Sequence, residues 1–67
     1  MAVARVTEIS STSTTSFEDA IKSGLERANE TLRNVKSAWI KEQQVRLTGG
    51  SISEYQVNML VTFVLDE

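Results

Sequence analysis

From Tyr55 onward every second residue is apolar: Tyr55, Val57, Met59, Val61, Phe63 and Leu65. Strict alternation of this kind puts all six side chains on one face of a β-strand. The other face carries Gln56, Asn58, Leu60, Thr62 and Val64. Upstream, Gly49-Gly50 followed by Ser51 marks a turn. Before that turn, Val35 to Thr48 reads as a second strand containing Trp39, Ile40, Val45 and Leu47. A hairpin this long strongly constrains so small a chain. Sixty-seven residues packed as a compact globule have a radius of gyration of ~11 Å and a diameter of about 28 Å. A strand of roughly 13 residues spans ~43 Å. The hairpin tip must curl round the helix or project into a neighbour.

The rest of the chain offers little to anchor that hairpin. A domain of this size buries only ~60% of its unfolded surface, and such domains usually need disulfides, a metal or self-association. With no cysteine and no histidine, disulfides, a zinc site, a thiol nucleophile and a Ser-His triad are all excluded. Self-association remains. The second face of the last strand agrees with it, since it mixes Leu60 and Val64 with uncharged polar residues instead of presenting charge. The net charge of −2 and mixed-sign charged residues give no footprint for nucleic acid. No apolar run approaches the ~20 residues of a membrane span. The stretch Met1-Ala2-Val3-Ala4-Arg5 lacks the pattern of a secretion signal. A cytoplasmic protein with neither nucleic-acid nor membrane partner is the expectation.

One helix is expected after the Ser/Thr-rich segment Ser10 to Ser16. Phe17, Ala20, Ile21, Gly24, Leu25, Ala28, Leu32 and Val35 recur at spacings of three and four, an apolar stripe of about five turns. Ser13, Thr15 and Ser16 are candidate N-caps, with Glu18 and Asp19 as box partners. Arg33 falls in the expected last turn. Gly24, on the apolar stripe, permits close approach of a strand. Val3 to Ile9 reads as a first strand, and the hydroxyl-rich segment as loop and helix start. The expected architecture is α+β, in the order β-α-β-β: a three-stranded antiparallel sheet wrapped on one helix, forming a single domain over residues 1–67.

Signals for chemistry are sparse. Lys41 and Glu42 adjoin, but neighbours on a regular strand face opposite ways. Glu8, Glu54, Asp66 and Glu67 show no metal-cage spacing. Gly49-Gly50 is a turn without the following helix that a phosphate loop requires. Neither a catalytic group nor a metal ligand is expected. If Ala38 and Ile40 face the helix, Ser37, Trp39 and Gln56 share the outer face of the sheet. An indole provides a stacking plate, and a glutamine amide a donor and acceptor in one plane. Such a pair suits a planar heteroaromatic ligand, but spacing alone favours Trp39 as an oligomer anchor and Gln56 as a surface or interface amide.

Several segments in order resemble the dodecin family of small flavin-binding proteins that form hollow homododecamers. They are Val6-Thr7-Glu8-Ile9, Thr12-Ser13 with Ser16-Phe17-Glu18-Asp19-Ala20-Ile21, Arg27-Ala28 with Thr31-Leu32-Arg33-Asn34-Val35, Tyr55-Gln56-Val57 and Phe63-Val64-Leu65. The resemblance implies a non-enzymatic homododecamer that sequesters flavin (riboflavin, FMN or FAD) at subunit interfaces. In that family flavin pairs stack between tryptophans of symmetry-related subunits, and the glutamine of the Tyr-Gln pair contacts the ring. Gln56 matches that glutamine. The usual tryptophan position, three residues after that of Asn34, is Ser37, and Trp39 lies ~6.6 Å further along the strand. The implied cofactor site is therefore Trp39 for stacking, Gln56 for the ring edge and Ser37 lining the vacated position. The alternative is a flavin-free shell that is purely structural or takes a metal ion or a nucleotide-like cofactor such as coenzyme A.

Overall fold

A computed structural model describes residues 3–65. Met1, Ala2, Asp66 and Glu67 lie outside the described residues. The elements follow as β1 (Ala4–Ser13), α1 (Phe17–Thr31), β2 (Val35–Thr48) and β3 (Ser51–Val64). The strands form one antiparallel sheet in the order β1-β3-β2. The strand with the strictest alternation is thus the central one. Its inward residues Val57, Met59 and Val61 are fully buried with Ala20 of α1, and Ile9, Phe17, Ile21, Leu25, Leu32 and Ala38 pack around them. Phe17 meets Tyr55 edge to face, with ring centroids 5.1 Å apart.

The first strand runs further than the sequence indicates. Ser10 to Ser13 continue β1, pairing from Ser10 with Asn58 to Ser13 with Tyr55. Ladder pairing to a long central strand outweighs the loop preference of hydroxyl residues. Ser16 is the N-cap, accepting from the Asp19 amide at 3.0 Å. Ser13 adds a second brace: its hydroxyl accepts from the Thr15 amide at 2.9 Å and donates to Asp19 Oδ2 at 2.7 Å. Gly24 is buried against the sheet, where a Cβ would lie 2.7 Å from Met59 Cε and 2.9 Å from Ser11 Cβ. The helix approaches β1 and β3 at that point because a side chain is missing.

The helix is a turn shorter than its apolar stripe. It ends at Thr31, Leu32 caps it by donating to the Ala28 carbonyl, and Arg33 falls beyond its last turn. Asn34 takes a left-handed backbone, φ 58°, which asparagine tolerates better than most residues. That reversal starts β2 at Val35, so Val35 reaches the core as a strand residue.

The second strand contains two extra residues. Val35 pairs with Phe63 and Ser37 with Thr62, leaving Lys36 as a bulge; Ile40 pairs with Met59 and Glu42 with Asn58, leaving Lys41 as another. Each bulge reverses the faces of the residues beyond it. The hairpin then projects from the helix-backed part of the sheet. The chain measures 51 × 19 × 13 Å with a radius of gyration of 13.8 Å, against the ~11 Å of a compact chain. Its accessible surface of 4942 Å² exceeds the roughly 4,200 Å² expected of a compact monomer of this mass. Val45, Leu47 and Ile52 near the tip are exposed. Among the described residues no helix is long and apolar enough to cross a membrane.

Candidate functional site

The sheet face turned away from α1 divides into an apolar part and a polar part. The apolar part is built on the pairings Trp39–Leu60, Ser37–Thr62 and Val6–Thr62. These five residues line an open hollow of about 440 Å³. Trp39 stands at its rim with 78% of its surface exposed. Nothing in the protomer buries the indole, and an exposed aromatic beside an apolar hollow suits cover by a ligand or another chain. Ala38 and Ile40 pair with Val61 and Met59 and face the helix side. The segment between the two bulges therefore keeps Ser37 and Trp39 outward, as the sequence indicates.

Gln56 shares this face but lies four residues from Leu60, ~13 Å along β3. One chain thus brings Ser37 and Trp39 together and leaves Gln56 apart. The glutamine sits in the polar part, opposite Gln44. Its Oε1 accepts from Arg46 Nη2 at 2.8 Å, and its Nε2 donates to Ser10 Oγ at 3.0 Å and Asn58 Oδ1 at 3.3 Å. Asn58 Nδ2 in turn donates to Glu42 Oε1 at 3.0 Å. Glu42, Gln43, Gln44, Gln56 and Asn58 border a smaller hollow of about 250 Å³. Between the two parts, Lys41 reaches across to Glu8 at 3.4 Å.

This placement corrects the regular-strand reading of Lys41 and Glu42. Both point outward, Lys41 to Glu8 and Glu42 to Asn58, because Lys41 is the bulged residue. The same extra residue carries Arg46 outward, to Gln56 and to Glu54 at 3.6 Å. The sequence reading put Asn58 on the face of Gln56 but missed Glu42, Arg46 and Ser10 around it. One signal was present. Ile40 and Val45 both face the helix side opposite Met59 and Tyr55, and their odd spacing of five is incompatible with unbroken alternation on one face. Among the described residues, no group of three His, Cys, Asp or Glu side chains is placed to hold a metal ion.

The family-model and solved-structure comparisons agree on one family. The dodecin family model matches residues 3–66. Dodecin from Streptomyces davaonensis is 39% identical over 98% of this chain and 97% of its own, with a TM-score of 0.94. A point mutant of the Thermus thermophilus dodecin is 34% identical over 100% of both chains, also at 0.94. The calcium dodecin of Mycobacterium tuberculosis, described as having a novel calcium-binding site, is 29% identical over 96% of this chain and 91% of its own, at 0.83. A search of curated proteins finds no match. With its whole fold and nearly its whole length matched, the chain belongs to the dodecin family.

Proposed function

We propose that this chain assembles as a cytoplasmic homododecamer that binds and sequesters flavin (riboflavin, FMN or FAD) at subunit interfaces, without catalysing a reaction. The observation that carries the proposal is the exposed Trp39 beside an apolar hollow on the outer sheet face. In this reading Trp39 supplies the stacking plate and Ser37 and Leu60 floor the space beside it. Gln56 approaches the ring edge from another subunit, the Gln56 of the same chain standing ~13 Å along β3 from Leu60 opposite Trp39. Family membership supports self-association and flavin as the ligand class. The extended shape, with its exposed hairpin tip, supports assembly independently of any ligand. A flavin stacked between indoles is shielded from solvent and its excited state is quenched, which suits storage or photoprotection.

Titrating riboflavin, FMN and FAD with assembled protein tests the reading. Saturable fluorescence quenching at micromolar or better affinity is the expected result; its absence in an assembled sample would leave the shell without its flavin.

A second reading keeps the shell and changes the ligand to a cation or a nucleotide-like cofactor such as coenzyme A. Ser37 at the usual tryptophan position favours it, and so does the calcium-binding relative. Carboxylates from several chains would have to converge for a cation. Mass unchanged in native spectrometry after exposure to calcium and to coenzyme A would remove this second reading.

A further inference from the structure

The hydrogen bonds through Gln56 run in one direction. Arg46 Nη2 donates to Gln56 Oε1, Gln56 Nε2 donates to Asn58 Oδ1, and Asn58 Nδ2 donates to Glu42 Oε1. A guanidinium has donors only, and an ionised carboxylate has acceptors only. The two charged ends therefore allow each intervening amide a single orientation. Turning Gln56 over would aim its NH2 group at an Arg46 N–H. Turning Asn58 over would set its carbonyl oxygen against Glu42.

Counting what is left on Gln56 gives a specific result. Both hydrogens of Nε2 are engaged, by Asn58 and by Ser10 Oγ. One of the two lone pairs on Oε1 is taken by Arg46. The amide retains one acceptor position and no donor, with the remaining guanidinium N–H groups beside it.

We infer that Arg46 is a positioning residue that locks the Gln56 amide with its carbonyl toward the ligand, making the site selective for a ring edge with an N–H flanked by carbonyls. The pyrimidinedione edge of a flavin has that order, its imide N–H facing Gln56 Oε1 and a neighbouring carbonyl facing the guanidinium. The inference rests on the flavin reading above. It also depends on the Lys41 bulge, without which Glu42 and Arg46 would face the other side of the sheet.

The test compares riboflavin with 3-methylriboflavin, whose imide N–H is blocked, by fluorescence quenching with assembled wild type, Arg46→Met and Arg46→Lys. The wild type is expected to bind riboflavin about tenfold more tightly than the methylated form, the scale of one hydrogen bond. Arg46→Met frees the amide to turn, and the preference is expected to fall to within about twofold. Arg46→Lys, also a donor only, keeps most of the preference. Arg46 is exposed along half its side chain, and circular dichroism is expected to show the sheet unchanged in both variants. Equal wild-type affinity for the two flavins overturns the inference while leaving flavin binding in place. So does an equal loss of both in Arg46→Met, which makes Arg46 a simple contact. Binding of neither flavin by the wild type overturns the flavin reading and this inference together.

Discussion

Trp39 and Gln56 face the same side of the sheet, yet Trp39 pairs with Leu60, four positions along β3 from Gln56. In the proposed reading, a flavin stacked on Trp39 of one chain meets Gln56 of another. On that reading binding and assembly are coupled, each protomer presenting a half-site that symmetry completes.

The indole is expected to matter for ligand and not for folding. Trp39 is mostly exposed and belongs to no buried cluster. Trp39→Ala should weaken flavin binding roughly 5- to 150-fold, since stacking is worth ~1–3 kcal/mol per plate. The far-ultraviolet circular dichroism should stay as it was. Equal affinity in the variant would move the stacking role to another residue.

Gly24 offers a test in which helix propensity and packing disagree. Alanine in place of a mid-helix glycine gains ~1 kcal/mol from propensity. Here its Cβ would press on Met59 Cε, which can move, and on Ser11 Cβ, which is tied to the β1 backbone. Overpacking of this kind costs about 1–3 kcal/mol. Gly24→Ala should therefore lower the unfolding midpoint in denaturant, against the propensity scale. A raised midpoint would mean the helix shifts away without penalty.

At the start of α1, two serines perform separate tasks. Ser16 caps the Asp19 amide, and Ser13 holds the Thr15 amide and the Asp19 carboxylate. Ser16→Ala should cost ~1 kcal/mol, the usual worth of an N-cap. Ser13→Ala should cost a similar amount and should couple to Asp19→Ala in a double-mutant cycle. Strict additivity of Ser13 and Asp19 would contradict their contact.

Met59 is the largest fully buried side chain in a core of few members. Met59→Ala should cost about 2–5 kcal/mol, a large share of the stability of so small a domain. Chemical denaturation at several protein concentrations should show the midpoint falling with dilution, as for a chain stabilised by its partners. A concentration-independent midpoint would argue for a self-sufficient protomer.

Much of this architecture is written in local patterns. The alternation from Tyr55 to Phe63 identifies the central strand, the three-four spacing from Phe17 to Ala28 identifies the helix, and Gly24 on that stripe marks the close approach. What was hidden depends on pairing. Ser10 to Ser13 are strand because β3 is long enough to pair with them. Val35 continues the helical spacing but follows the left-handed turn at Asn34. The bulges at Lys36 and Lys41 are register events between two strands, and local propensity does not encode them. The Trp39 part of the outer face was legible because it lies between the bulges, where alternation is unbroken. Gln56 and Asn58 were legible on that face too, but Glu42 and Arg46 beside them were not, because they lie beyond the second bulge.

Native mass spectrometry of the protein mixed with riboflavin tests the central claim most directly, because it reads assembly and occupancy in one spectrum. The expected result is a twelve-chain species carrying flavin, with no flavin on any free protomer. A flavin-bound monomer would contradict the shared site, and a twelve-chain species that stays empty would contradict the ligand.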